Sequence, residues 1–314
     1  MFYLGIDLGG TNIAVGLVDE NSKIVYQDST PTLASRPGEE IVKDMCALCE
    51  KVVKESGHTM DEVASIGVGC PGTVDNKNGV IAYANNIRME NFPMRKLIQS
   101  HIDKPVNLEN DANAAAYGEY IANGNGVDDY IFITLGTGVG GGIIINKKIY
   151  RGFNCAGAEL GHITLMVDGE QCSCGKKGCW EAYASVTALI RQTEAAIKKN
   201  PESLMAKIAE RDGKVSGRTA FEAAKQGDKA ALDVVAMYEK YIAEGLVSIL
   251  NIFQPEKLVI GGGISREGDY LLNPVKALVD KDDYNKHMPK TDIEIASLFN
   301  DAGIIGAAMA AANN

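Results

Sequence analysis

Three cysteines and one histidine are close enough in the chain to hold a metal. Cys172, Cys174 and Cys179 fall within eight residues, and His162 lies ten residues before the first of them. Three thiolates and one imidazole make a closed tetrahedral zinc site of the structural type. A reactive or disulfide-forming cluster is the alternative, but this spacing in a cytosolic chain favours zinc.

Two glutamates flank this metal-binding pattern. Glu159 lies three residues before His162, and Glu181 lies two residues after Cys179. A zinc-bound imidazole can donate its second N–H outward, and carboxylates accept hydroxyl hydrogens. This combination suits a polyol ligand, whereas each glutamate alone is more often a solvated surface charge.

Glycine-rich turns follow three β-prone runs, at residues 7–11 (DLGGT), 135–138 (LGTG) and 261–265 (GGGIS). Bare backbone N–H groups can cradle phosphate oxygens there. The aspartate beside the first turn can hold Mg²⁺, and the third turn could pass under an adenine or a ribose. A P-loop motif is missing from the sequence. The G-x-G-x-x-G match at residues 136–141 precedes a β-prone run, IIIN, instead of the required helix.

The segment ENDAN (109–113) joins a predicted strand to a predicted helix. Asp111 can be the N-cap of that helix. Spacing alone favours this N-cap interpretation. In a functional interpretation, Asp111 is a base that takes a proton from a hydroxyl attacking phosphorus, with Asn110 bridging neighbouring hydroxyls. The residues alone leave both interpretations open.

Strands alternate with helices along the chain, which predicts an α/β protein. Residues 3–21 align without gaps on residues 130–148, and each copy reads as strand, turn, strand. Such a repeat predicts a duplicated fold, with chance similarity of two glycine hairpins as the alternative.

The composition narrows the function further. The 314 residues carry 31 Lys and Arg against 41 Asp and Glu, a net charge of −10, which argues against a nucleic-acid binder. Residues 130–146 are too short and glycine-rich to span a membrane. The beginning of the chain lacks the features of a signal peptide. We therefore expect a cytoplasmic protein whose remaining cysteines, at positions 46, 49, 70 and 155, are small buried residues.

Together these motifs resemble the ROK family (repressor, open reading frame, kinase) of the actin/hexokinase-like superfamily. They run through nearly the whole chain in family order: DLGGT, PGTVD, ENDANAAAYGE, LGTGVGGG, AGAELGHITL, CSCGKKGCWE and IGGGIS. The resemblance implies an actin/hexokinase-like (ribonuclease H-like) duplicated α/β fold of two domains with an interdomain cleft. A small domain would span residues 1–112, with a C-terminal helix at about 300–314 packing back on it. A large domain would span residues 113–299.

The resemblance also implies roles for the site residues. The catalytic base would be Asp111, and zinc would be bound by His162, Cys172, Cys174 and Cys179. The hexose would be held by Asn86, Asn110, Asp111, Glu159, His162 and Glu181. MgATP would face Asp7, Gly9, Gly10, Thr11, Thr137, Gly138 and Gly262. Asn12 stands where many relatives carry lysine, which argues against a cationic phosphate contact at that position.

The activity implied is ATP-dependent phosphorylation of a hexose, with glucose first because ENDANAAAYGE and ELGHITL are most similar to the family's glucokinases. A kinase for mannose, fructose or an N-acetylhexosamine, and a non-catalytic sugar sensor, are the alternatives. A role in glycolysis and a homodimer or higher homo-oligomer are expected by analogy. The predicted hairpin begins at residue 3, so we expect neither a helix-turn-helix nor DNA binding.

Overall fold

The computed structural model describes residues 1–84, 86–124 and 126–313. Its strands are β1 (Phe2–Leu8), β2 (Asn12–Asp19), β3 (Ile24–Pro31), β4 (Val63–Cys70), β5 (Thr73–Asp75), β6 (Val80–Ala84), β7 (Met89–Phe92), β8 (Val106–Asn110), β9 (Tyr130–Leu135), β10 (Val139–Ile145), β11 (Lys148–Ile149), β12 (Lys257–Gly261) and β13 (Asp292–Ile295). Its helices are α1 (Gly38–Glu55), α2 (Met94–Gln99), α3 (Asp111–Asn123), α4 (Glu181–Ala184), α5 (Val186–Lys199), α6 (Leu204–Asp212), α7 (Thr219–Lys225), α8 (Lys229–Phe253), α9 (Asp269–Asp282) and α10 (Asp301–Ala312).

The first sheet places two of the predicted site segments at one edge. Its strand order is β3-β2-β1-β4-β8, and β1, β4 and β8 run parallel. Asp7 in β1 pairs with Gly69 in β4, and Cys70 in β4 pairs with Asn110 in β8. The carboxyl ends of these three strands therefore lie side by side, where ligands bind in α/β proteins.

Helix α10 packs against this sheet and against α3. The approach is close because the sheet presents glycine to the helix backbone. A Cβ on Gly5 would lie 1.9 Å from the carbonyl oxygen of Ile304, and one on Gly67 would lie 1.8 Å from that of Ala307. Any side chain at either position would push the helix off the sheet.

Two further sheets have the orders β11-β10-β9-β12-β13 and β5-β6-β7. Both copies of the sequence repeat form the expected strand–turn–strand units, β1–β2 and β9–β10. Helices α4 to α8 follow one another between residues 181 and 253. Among the described helices, none combines the length and apolarity needed to cross a bilayer.

The chain divides into two compact units. Unit 1 contains Met1–Phe132, Gly142–Ala158 and Ser297–Asn314, and unit 2 contains Ile133–Gly141 and Glu159–Ala296. The domain boundary predicted after residue 112 lies inside α3, which unit 1 contains whole; the two-domain division by sequence stays a prediction.

Candidate functional site

The structure brings the four predicted metal ligands together in unit 2. One ligand atom from each of His162, Cys172, Cys174 and Cys179 lies within 4.8 Å of the others. The Sγ atoms of Cys174 and Cys179 are 3.6 Å apart, and His162 Nδ1 is 3.7 Å from Cys172 Sγ. A set of three thiols and one imidazole fits a structural zinc ion.

Glycine makes the tight turn of this loop possible. Gly178 has φ +76°, and a Cβ there would lie 1.7 Å from the carbonyl oxygen of Met166. Only glycine avoids both the backbone strain and this collision. The loop folds back at this glycine, and Cys179 Sγ thereby comes to 3.6 Å from Cys174 Sγ.

His162 turns Nδ1 toward the thiols, which leaves Nε2 on the opposite side of the ring. The residue ends a 3-10 turn, Leu160–His162. The His162 N–H donates to the carbonyl of Glu159, the residue before this turn, at 3.1 Å. Lys176 Nζ donates to the His162 carbonyl at 3.1 Å. Glu159 is exposed at the start of the turn.

Glu181 joins the cysteine loop to the second glycine turn. Its Oε2 accepts the Val139 N–H at 3.0 Å, and its Oε1 accepts the Ser173 hydroxyl at 3.0 Å. A Cβ on Gly138 would lie 2.3 Å from Oε2, so a side chain at this position would displace the carboxylate from its place. The Glu181 carboxylate is therefore half-buried and fixed by hydrogen bonds at both oxygens, unlike a freely solvated surface charge.

Trp180 anchors this segment to helix α8. Its indole is fully buried, and its Nε1–H donates to the Tyr241 carbonyl at 2.8 Å. A Cβ on Gly245 would lie 2.0 Å from the ring, so the indole lies directly on the glycine backbone. The Trp180 N–H also donates to the Ile163 carbonyl at 2.9 Å. No motif in the sequence marks Gly245 as a contact of Trp180, because the two residues lie 65 positions apart.

The third glycine turn lies against the second. Gly262 has φ +85°, and a Cβ there would lie 2.3 Å from the Leu135 carbonyl oxygen. The second turn is held by the Val186 N–H, which donates to Gly136 at 2.8 Å, while the side chain of Thr137 is exposed. Both predicted nucleotide turns of unit 2 are therefore neighbours.

The first glycine turn, in unit 1, is closed by the Gly9 N–H, which donates to the Asn12 carbonyl at 2.9 Å. Thr11 is exposed. A Cβ on Gly10 would lie 3.4 Å from the Cβ of Asn86, so this predicted sugar-binding residue lies beside the turn and is exposed.

Asp7 precedes this turn, and burial raises the pKa of its carboxyl above the usual range. A Cβ on Gly303 would lie 3.0 Å from Asp7 Oδ2. The carboxyl group therefore faces the first turn of α10, where the positive end of the helix dipole lies.

The N-cap interpretation of Asp111 is wrong. Asn110 caps α3, because its Oδ1 accepts the Asn113 N–H at 3.1 Å. Its Nδ2 donates to the Gly72 carbonyl at 3.0 Å. Asp111 is instead the first helical residue, and its Oδ1 accepts the Ala112 N–H at 2.8 Å.

Asp7 and Asp111 share the edge of the first sheet. Burial raises the pKa of the Cys70 thiol between them, and the negative charges of Asp111, Glu109 and Asp7 raise it further. The registers of β1, β4 and β8 explain why these three carboxyl groups all lie close enough to the Cys70 thiol to affect its pKa.

One ion pair beside Asp111 was missed at the level of sequence. Arg151 Nε donates to Glu109 Oε2 at 2.7 Å, and Glu109 is 3% exposed. Its Oε1 accepts the Asn110 N–H and the Asn113 Nδ2, each at 3.1 Å. Glu109 thereby ties Arg151 to the start of α3. Its place in ENDAN was a possible signal, but nothing in the sequence pointed to Arg151.

The remaining cysteines follow the prediction with one correction. Cys46, Cys49 and Cys70 are buried, whereas Cys155 is only half-buried and has φ +61°. Expecting Cys155 to be a buried packing residue was wrong because it lies in an irregular loop outside the three sheets.

The fold and these glycine turns define an α/β protein of the actin/hexokinase-like class. Residues 3–314 match the model of the ROK family, and the chain belongs to that family. It is 37% identical to a glucokinase of Streptomyces coelicolor over 97% of this chain and 96% of that protein. It is 36% identical to a glucokinase of Thermotoga maritima over 97% of this chain and 95% of that protein.

A solved structure is similar in the same way. The ROK family glucokinase from Streptomyces griseus, in complex with glucose and AMPPNP, superimposes with a TM-score of 0.86. The two chains are 37% identical, and the match covers 100% of each. The predicted family, α/β class and duplicated actin/hexokinase-like fold are confirmed.

Proposed function

We propose that this protein is an ATP-dependent hexose kinase that converts glucose to glucose 6-phosphate. The observation that carries the proposal is the position of Asp111. Asn110 takes over the capping of α3, and Asp111 lies at the same sheet edge as Asp7 and the first glycine turn. Similarity to glucokinases over 97% of the chain supports the same activity.

In this proposal the Asp111 carboxylate takes the proton of the sugar 6-hydroxyl as its oxygen attacks the γ-phosphorus of ATP. The bond from that oxygen to phosphorus forms, the bond from phosphorus to the β–γ bridging oxygen breaks, and ADP leaves. Asn86, Asn110, Glu159, His162 and Glu181 are the proposed sugar-binding residues, together with Asp111 itself.

The phosphates are assigned to the glycine turns, whose threonines are exposed and whose N–H groups carry partial positive charge. The proposed residues are Gly9, Gly10, Thr11, Thr137, Gly138 and Gly262. Asp7 would hold Mg²⁺, which neutralises charge on the phosphates when bound. The raised pKa of Asp7 fits a carboxyl whose counter-charge arrives with the nucleotide.

We assign a structural Zn²⁺ to His162, Cys172, Cys174 and Cys179. Support comes from the donor set and from the spacing of the ligand atoms, all within 4.8 Å of one another. The ion would fix the loop that precedes Glu181 and the imidazole that faces the sugar. The cytoplasmic location, a part in glycolysis and a homo-oligomer stay predictions.

A panel of hexoses with coupled ADP detection tests this function. We expect the highest kcat/KM with glucose, and lower values with mannose, fructose and N-acetylhexosamines. A higher value with another hexose would transfer the assignment to that sugar. Sugar binding without ATP turnover on any member of the panel would instead indicate a sensor.

A further inference from the structure

Ser173 lies between two of the proposed zinc ligands and reaches the carboxylate of Glu181. Its hydroxyl donates to Glu181 Oε1 at 3.0 Å, and the opposite oxygen, Oε2, accepts the Val139 N–H at 3.0 Å. One donor on each oxygen fixes the plane of the carboxylate. Val139 begins β10 directly after the second glycine turn, and the backbone around Ser173 is set by Cys172 and Cys174.

The remaining acceptor capacity of Glu181 points toward a ligand. A carboxylate offers about four lone-pair sites, and Ser173 and Val139 occupy two of them. Cys172 Sγ lies 3.6 Å from Oε1, but a zinc-bound thiolate has no proton to donate. About two acceptor sites of a fixed carboxylate are then left for sugar hydroxyls.

We propose that Ser173 is a positioning residue that orients Glu181 for the sugar. The inference rests on the proposed function, and it gives the zinc loop a part in sugar affinity. A carboxylate held at both oxygens loses little conformational freedom when hydroxyls bind, which strengthens binding through preorganisation. Without the Ser173 hydroxyl, Glu181 keeps only the Val139 N–H and can rotate away from it.

Ser173→Ala and Ser173→Thr test the role, with glucose affinity measured by calorimetry and KM. We expect Ser173→Ala to weaken glucose binding about 3- to 10-fold, with unchanged zinc content and a smaller change in KM for ATP. Ser173→Thr keeps the hydroxyl and should stay within about 2-fold of the parent. Lys177→Ala, an exposed residue of the same loop, is the matched control and should leave glucose affinity unchanged.

A double-mutant cycle with Glu181→Gln separates positioning from loop damage. If Ser173 acts through Glu181, adding Ser173→Ala to Glu181→Gln should weaken glucose binding by much less than it does alone. Equal losses in both backgrounds would overturn the proposal. If the Glu181→Gln protein binds too weakly to measure, the threonine variant decides: affinity as low as that of the alanine variant refutes the role.

The role of Ser173 and the kinase activity can fail independently, and the measurements tell the two failures apart. A parent protein that phosphorylates glucose, together with Ser173→Ala of parental affinity, rejects Ser173 and leaves the kinase assignment intact. A parent protein that binds glucose but turns over no sugar rejects the kinase assignment, and the glucose-binding cycle still decides the role of Ser173.

Discussion

Replacing Asp111 with asparagine should separate catalysis from folding. Asn110, and not Asp111, caps α3, so the capping hydrogen bond survives. The amide oxygen of asparagine can still accept the Ala112 N–H, which Asp111 Oδ1 accepts at 2.8 Å. What is lost is one negative charge in the first turn, worth about 0.3–1 kcal/mol of stability through the helix dipole.

The expected loss of activity is much larger. Removing a general base lowers kcat by roughly 10²–10⁴, which corresponds to about 3–5 kcal/mol of barrier height. The assay is kcat by coupled ADP detection at saturating glucose and ATP, alongside urea unfolding of the same sample. The increase in barrier height should be several times the loss of unfolding free energy.

Asp269→Asn is the matched control. Asp269 is the exposed first residue of α9, so its substitution removes a comparable charge from a helix N-terminus outside the proposed site. Its kcat should stay at the parent value. Retention of kcat within about 3-fold of the parent value in Asp111→Asn would refute the assignment of Asp111 as the base.

Three further outcomes concern residues of unit 2. Burial raises the pKa of Glu239 from its ordinary 4.5 to about 7. The stability that the protonated carboxyl group gives the folded state is therefore lost as the pH rises from 4.5 through 7. Glu239→Gln should raise the unfolding free energy, measured by urea titration, by on the order of 3 kcal/mol at pH 8 and by little at pH 4.5. The control is Glu194→Gln, at an exposed position, which should leave the unfolding free energy unchanged at both pH values. Gly245→Ala should destabilise the protein by about 1–3 kcal/mol or more, because its methyl group would collide with the indole; fluorescence of Trp180, the sole tryptophan, follows the unfolding. Cys174→Ser should lose zinc in metal analysis and bind glucose more weakly in calorimetry; full glucose affinity in a metal-free sample would contradict the coupling of zinc to sugar.

Local patterns were sufficient to predict the cluster of three cysteines and one histidine and the glycine turns. Ligands separated by two to ten residues are brought together by the loop itself, and residue types alone identify their chemistry. The turn before Val139 is likewise set by a few adjacent residues. These features need little information from the rest of the chain, so the sequence predicts them directly.

Contacts between distant residues needed the structure. Glu109 and Arg151 lie 42 residues apart, and their ion pair depends on where the loop after β11 returns to the end of β8. The same holds for Glu181 and Val139, which meet only because α4 begins beside the second glycine turn. Hydrophobic periodicity specifies the elements but not which of their ends become neighbours.

The ENDAN segment shows most clearly what the sequence determines and what only the tertiary structure decides. By itself the sequence determined that a carboxylate and an amide stand where a strand turns into a helix. Which of the two caps the helix was decided by tertiary structure, because the cap must have non-helical backbone angles and an oxygen facing the third N–H. The pairing of β8 with β4 places the end of the strand at Asn110. The helix then starts at Asp111, and this one-residue difference leaves the carboxylate at the same sheet edge as Asp7, with β4 between them.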